Sequence, residues 1–245
     1  MRVEIWAEVT CPWCGLGSHR LDRAVQQFRL EHGTRIEVLH RSFPLSSAFP
    51  ADRTIDVRAA LLRQHGVSGA QAEVSTRRIE ALAEAEGLSP YRVLDNRVGN
   101  TDLAHEFLAH ATTEGCNRAA WNAIFRAYFG QARPVFALDD LLDLGEELGL
   151  DRAETRRALT ERRHRPQVQD ELARARRLGA AGAPFILVDG KFGVAGAHTS
   201  DSLLDTLRRA WDESHPAAVD DPAEGPCAGP TAALYPPITT DRTAR

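Results

Sequence analysis

Residues 3–14 read Val3-Glu4-Ile5-Trp6-Ala7-Glu8-Val9-Thr10-Cys11-Pro12-Trp13-Cys14, and the chain continues Gly15-Leu16-Gly17-Ser18-His19-Arg20-Leu21. Val3, Ile5, Ala7 and Val9 alternate with Glu4, Trp6 and Glu8, the period of two that puts successive side chains on opposite faces of a strand. From Gly17 the period lengthens: Leu21, Ala24, Val25 and Phe28 form one helical stripe, and Gly33 supplies a stop. Two cysteines three apart therefore stand where a strand hands over to a helix. There the unpaired N–H groups of the first turn and the positive end of the helix dipole favour a thiolate on Cys11. Cys14, one turn on, is placed to attack a mixed disulfide at Cys11, which is the two-step course of thiol–disulfide exchange. Pro12 has no N–H and a fixed φ, and both suit a first helical turn.

Outward from this stretch, Ile36 to Phe43 reads as a second strand, and the intervening helix is the crossover that a parallel pair would need. After Pro44 and Pro50 helical periodicity takes over, with almost no β-type run before Gly179. Helices are expected near Thr54–His65, Ala70–Gly87, Thr101–Gly115, Arg118–Phe129, Asp139–Gly149, Arg152–Arg163 and Gln167–Leu178. Asn100 or Thr101 would cap the third, and Asp151 with Glu154 has the capping-box pattern at the sixth. At Gly182-Ala183-Pro184 the pattern returns to β: Phe185-Ile186-Leu187-Val188, the turn pair Asp189-Gly190, then Lys191-Phe192-Gly193-Val194, a hairpin signature. Beyond Thr199 and Ser200, Leu203, Leu204, Leu207 and Trp211 make one more amphipathic helix. Residues 214–245, rich in Pro, Ala, Asp and Thr and without periodicity, are expected to form a poorly ordered tail.

The chain has 245 residues, with 30 basic side chains against 34 acidic ones and a net charge of −4. Its core is large enough to hold without disulfides or a structural metal. With no long basic run, neither nucleic acid nor an acidic membrane is an expected partner. No apolar stretch reaches the ~20 residues of a membrane span, and the first residues lack the regions of a signal peptide, so a cytoplasmic location is expected. Four cysteines are too few for a secreted disulfide scaffold.

The rival chemistry for Cys11 and Cys14 is half a zinc site or a structural pair. Zinc usually takes four ligands. His19 could be a third, but Cys116 lies among helices, Cys227 lies in the tail and no fourth ligand is evident, so redox use is expected and no metal.

Strand, Cys-Pro-Trp-Cys, helix, strand, a long helical insertion, then Gly-Ala-Pro-Phe-Ile-Leu-Val-Asp-Gly and a hairpin resembles the DsbA-type thioredoxin fold, in particular its FrnE-like branch. The likeness covers about residues 3–212. Asn100-Thr101-Asp102-Leu103-Ala104-His105, Ala127-Tyr128-Phe129 and Val194-Ala195-Gly196-Ala197 also look like that branch. It implies an α/β thioredoxin-like domain over residues 1–50 and 180–213, interrupted by an all-helical insertion, 51–179, that covers the cysteine face. It implies a thiol–disulfide oxidoreductase or isomerase acting on protein or small-molecule thiols and disulfides. Cys11 would attack and Cys14 resolve; Pro12 and Trp13 would shape the site. Pro184 matches the family's cis-proline facing the cysteines, with the backbone of Ala183 pairing with substrate. No tightly bound cofactor is implied, and glutathione is a candidate redox partner.

Two departures from the family pattern stand out. The acid that related folds carry on the first strand, six residues before the attacking cysteine, is here Ile5, and Glu4 and Glu8 belong to the other face by alternation. Proton shuttling by a buried carboxylate is therefore not expected. Trp13 stands where the strongest oxidants have His, and a neutral indole cannot stabilise a thiolate, so a strongly oxidising couple is not expected either. Two rivals remain open: glutathione-dependent isomerases and kappa-type transferases, which share the architecture but typically use serine at the reactive position, and a non-catalytic chaperone or biosynthetic partner.

Elsewhere the residues read as structure. His105 and His110 are five apart and share no helix face well, so a core or surface role is expected. Trp121, Phe125, Tyr128 and Phe129 recur at helical spacing and read as core. Glu80, Glu84 and Glu86 with Arg77 and Arg78 read as a solvated face. Gly190, Gly193 and Gly196 lie in the hairpin and not before a phosphate-binding turn, which argues against nucleotide binding.

Overall fold

The computed structural model describes residues 1–65 and 69–215; Cys227 and the tail from residue 216 lie outside the described residues. Strand β1 (Arg2–Ala7) leads into helix α1 (Pro12–His32), which ends at Gly33 with φ 62°, a left-handed stop that glycine takes without strain. Strand β2 (Glu37–Ser42) pairs parallel to β1, so α1 is the crossover. Strands β5 (Phe185–Val188) and β6 (Phe192–Ala195) form the expected hairpin, and β5 runs antiparallel to β1, giving the order β2-β1-β5-β6. Asp189 and Gly190 both have positive φ, 47° and 71°, as a tight two-residue hairpin turn with the right twist needs. Helix α9 (Ser200–Ser214) closes the unit, its Thr199 hydroxyl accepting the Ser202 amide.

Between β2 and β5 lie α2 (Val57–His65), α3 (Gly69–Ala85), α4 (Asp102–Thr113), α5 (Asn117–Phe125), α6 (Leu138–Glu147), α7 (Arg152–Thr160) and α8 (Arg165–Arg177). Two expectations change here. The insertion is not all-helical: β3 (Ile55–Asp56) and β4 (Arg97–Val98) make a small antiparallel ribbon, too short for any periodicity to register. The helix expected to run through Phe129 stops at Phe125 and widens into a π-helical turn, Arg126–Gly130.

Strand β1 is central, and this changes the reading of its alternation. Both faces are buried. Val3 and Ile5 pack against α1 and α9 through Leu21, Phe28, Leu203 and Leu207. On the other face Trp6 packs with Phe43, Phe185 and Ala175, and its indole N–H donates to the Glu171 carbonyl at 3.0 Å. Glu4 is buried there too. Arg174 donates to both its oxygens at 2.6 and 2.5 Å, and Arg41 donates at 3.1 Å while also reaching Glu171. Alternation marks two faces but cannot tell solvent from a second packed layer, in which an acid survives only if paired.

The Arg174 hydrogen bonds hold the Glu4 carboxyl below its ordinary value, against burial, with Arg41 adding to them. A folded value below the unfolded ~4.3 gives stability that is complete above the unfolded value and is lost as pH falls through the folded one. Glu4→Gln is therefore expected to lose about 1.5–3 kcal/mol at neutral pH. Its acid-unfolding curve, followed by circular dichroism, should be flatter than that of the parent below about pH 4.5; parallel curves would show that Glu4 contributes nothing to acid sensitivity.

The acidic face of α3 is also less solvated than expected. Glu80 accepts the Val93 and Leu94 amides at 2.8 and 3.2 Å, and Glu86 pairs with the buried Arg20 of α1. Their partners come from other elements, so the charge pattern along the helix could not show them. Trp121, Phe125, Tyr128 and Phe129 are core, as expected. Asp151 caps α7 by accepting the Glu154 amide; at α4 the Asn100 side-chain oxygen accepts the Asp102 amide, while the Thr101 hydroxyl donates to Glu8 instead.

Candidate active site

Cys11 caps α1, and Cys14 lies in its first turn, fully buried. The cysteine positions follow from the register of β1, which carries the chain to the N-terminus of α1. The Cys14 thiol hydrogen-bonds the Cys11 sulfur, and the backbone amides of Cys14 and Trp13 also point at it. The Cys14 bond contributes most to holding the Cys11 thiol below its ordinary value, burial and the Glu8 charge opposing. Cys14 goes the other way: burial first, then its donation to Cys11, push it well above its ordinary value. One thiol is thus prepared to ionise and the other to keep its proton, an asymmetry suited to sequential attack and resolution.

Across from the pair, the Ala183–Pro184 peptide is cis, and the Cys11 thiol approaches the Ala183 carbonyl at 3.8 Å. Gly17 makes room for this segment, since a Cβ there would lie 3.2 Å from the Pro184 ring. The structure therefore brings together Cys11, Pro12, Trp13, Cys14, Ala183 and Pro184. Trp13 is 38% exposed and sits at the mouth of a cavity of about 460 Å³. Cys11 opens into this cavity, whose walls include Leu45, Phe49, Val57, Ile79 and Tyr128. Among the described residues lining it there is no Lys or Arg, and Glu8 is its one acid.

The alternation set Glu8 on the face away from Ile5 without showing whether that face is solvated, and the residue is buried, 1% exposed. Its backbone N–H donates to the Cys14 sulfur at 3.4 Å, while its carboxylate accepts the amides of Thr10, Leu45 and Ser46 and the Thr101 hydroxyl. Burial pushes its carboxyl up, but His105 at 3.6 Å and those backbone donors outweigh it, so the group lies below its ordinary value. A buried, ionised carboxylate thus stands beside the thiols, contrary to expectation. Thr101 and His105 belong to the segment Asn100 to His105 that carried part of the family likeness, and that was the only signal available for them.

Tyr91 carries no sequence signal. Its hydroxyl donates to the Pro12 carbonyl at 2.6 Å, and its ring stacks on Phe129 with centroids 4.7 Å apart. Gly15 is required beneath it, because a Cβ would fall 2.5 Å from the Tyr91 oxygen. His19, a conceivable metal ligand by sequence, instead bonds the Glu86 carbonyl; no group of three metal-capable side chains occurs among the described residues.

A family model described as DSBA-like thioredoxin domain matches residues 2–208. The chain belongs to that family. This DSBA-like thioredoxin domain is also similar to the crystal structure of a probable DsbA oxidoreductase from Streptomyces coelicolor. That match has 35% identity and a TM-score of 0.81 and covers 87% of this chain and 91% of the other. More distant likenesses show the fold alone. A 2-hydroxychromene-2-carboxylate isomerase shares 16% identity at a TM-score of 0.66, over 88% of this chain and 98% of that one. The cytosolic disulfide reductase DsbM of Pseudomonas aeruginosa, solved with GSH, shares 22% at 0.56 over the same fractions. No curated protein matches the chain. The expected fold class, a thioredoxin-like α/β unit with a large and mainly helical insertion, is thereby established for this DSBA-like domain. No described helix is long and apolar enough to cross a membrane.

Proposed function

We propose that this DSBA-like domain is a thiol–disulfide oxidoreductase working through Cys11 and Cys14. The observation that carries the reading is the division of labour in the pair: Cys11 opens to a cavity at a helix start, while Cys14 is buried behind it and hydrogen-bonded to it. Cys11 attacks a substrate disulfide and Cys14 resolves the resulting bond. The Ala183–Pro184 segment holds substrate backbone, and Pro12 and Trp13 shape the mouth. The apolar cavity favours thiols that carry uncharged, apolar groups beside the sulfur.

The finer assignments belong to the same proposal. The chain is placed in the FrnE-like branch, residues 1–50 with 180–213 act as the redox domain, and residues 51–179 act as its cover. Its site of action is the cytoplasm. Glutathione is a candidate redox partner for turning the couple over and not the occupant of the apolar cavity; the GSH-bound disulfide reductase of the same fold supports that choice. A glutathione-dependent isomerase reading is weaker, because it leaves the buried Cys14 without a task.

Equilibration in glutathione redox buffers, followed through Trp13 fluorescence and mass spectrometry, tests the reading. One two-electron transition between dithiol and Cys11–Cys14 disulfide is expected, with a midpoint on the reducing side of the strong oxidants. Stable glutathione adducts on Cys11 with no Cys11–Cys14 disulfide at any ratio would reject the dithiol mechanism.

A further inference from the structure

We propose that His105 is the proton store of the dithiol: the Cys14 proton leaves through the Glu8 carboxylate and rests on the His105 imidazole while Cys14 attacks. The proposal builds on the thiol–disulfide reading above and adds a residue from the helical insertion to it.

Resolution needs Cys14 as a thiolate, and Cys14 is sealed from water. Besides Cys11, its hydrogen-bond partner is the Glu8 N–H, a donor that cannot take a proton. The same residue carries the carboxylate whose charge acts on both thiols, but its amide and hydroxyl donors all favour the ionised form, which makes it a poor resting place. Behind it stands His105. Its ring is 0% exposed and tilts against Trp121; its Nε2 lies 3.6 Å from a Glu8 carboxylate oxygen, and its Nδ1 has no partner within hydrogen-bond distance. A buried imidazole set against a carboxylate with its other nitrogen unpartnered is uncommon unless the ring is in use.

Charge supports the same route. A proton lost to solvent would leave the Cys14 thiolate and the Glu8 carboxylate as two adjacent buried anions, and the Glu8 charge already opposes ionisation of both thiols. Moving it to His105 keeps the total charge of the pocket constant, so no net charge has to be desolvated.

The step balances. Cys14–SH gives its proton to the Glu8–His105 pair. The Cys14 sulfur then attacks Cys11, the Cys11–Cys14 bond forms, and the bond from Cys11 to the substrate sulfur breaks. Substrate leaves as a thiolate and is protonated by solvent. The protein dithiol loses two electrons and the substrate disulfide gains them.

The other groups facing the pair stay fixed near neutrality. His40, across Trp121, is pushed by burial down to about 3, and burial with the Glu8 charge raises Tyr128. Tyr91, beside the thiols, is raised by burial, and Glu106 on the same helix as His105 is paired with Arg162.

The neutral reagent 2,2′-dithiodipyridine reads both steps in stopped flow: the first release of thiopyridone reports attack by Cys11, the second reports resolution by Cys14. In the parent protein the second phase should rise through a histidine-type inflection between about pH 5 and 8. In His105→Gln it should slow by at least about tenfold more than the first phase, and its inflection should move to the thiol range. Equal slowing of both phases, or an unchanged pH profile of the second, overturns the proposal. Histidine ring NMR on the parent protein tests the same store without a variant. At a fixed neutral pH the His105 ring nitrogen shifts should differ between the dithiol and disulfide states as the ring takes up the proton, and a ring unchanged between the two states overturns the store. A parent protein with no second phase at all would instead sink the dithiol reading.

Discussion

Cys11→Ser is expected to abolish reduction of insulin disulfides, a loss of at least about a thousandfold, since the remaining thiol of the first turn, Cys14, is buried and raised well above its ordinary value. Cys14→Ser is expected to keep the first attack and lose the second, so that mixed disulfides with substrate accumulate and can be isolated by non-reducing electrophoresis. The difference follows from the site: Cys11 faces the cavity with its thiol lowered, whereas Cys14 is buried with its thiol raised. Timed alkylation with iodoacetamide near neutral pH should label Cys11 well ahead of Cys14 in the parent dithiol. Faster labelling of Cys14, or full turnover in Cys11→Ser, would reverse the assignment of roles.

The second large effect is expected at Gly15. Alanine inside a helix is ordinarily favoured over glycine by about 1 kcal/mol. Here the new Cβ would lie 2.5 Å from the Tyr91 oxygen and 3.2 Å from the Phe129 ring. Tyr91 cannot simply swing away, because it is buried, stacked on Phe129 and bonded to Pro12. Overpacking of this kind costs about 1–3 kcal/mol and should outweigh propensity, so Gly15→Ala is expected to be less stable in urea unfolding. Removing the oxygen with Tyr91→Phe should relieve most of the clash. The double variant should then show a coupling of about 1–3 kcal/mol, of the sign that makes Gly15→Ala less destabilising when Tyr91→Phe is already present. Because the strain falls on the first turn of α1, Cys11 alkylation should also slow in Gly15→Ala alone and recover in the pair. Additive stabilities would mean that Tyr91 yields freely and does not hold the cysteine turn.

Much of the frame was open to inspection in the chain itself. The β1-to-α1 handover, the stop at Gly33, the Asp189-Gly190 turn and the final helix from Ser200 were all legible, because each rests on residues a few positions apart. The cis peptide at Pro184 was available through family likeness and not through any local pattern. Errors came where one local pattern has two tertiary outcomes. Glu4 and Glu8 alternate with apolar residues as they would on a solvent face, and β1 has none. Glu80 and Glu86 lie on a charged helical surface, yet each is tied to a neighbouring element.

Period, turn chemistry and capping are properties of short segments, so the chain alone gave away its main helices and strands, their order, and a dithiol at a helix start, but not the two-residue β3–β4 ribbon. Which polar groups surround that dithiol depends on how distant elements pack. Thr101 reaches Glu8 across 93 residues and Tyr91 reaches Pro12 across 79, and such pairs leave no trace in local spacing. A buried polar atom must find a partner wherever the fold supplies one. The partners of the cysteines, and with them the course of the Cys14 proton, are set by how the helical insertion closes over the sheet and not by the residues beside Cys11 and Cys14.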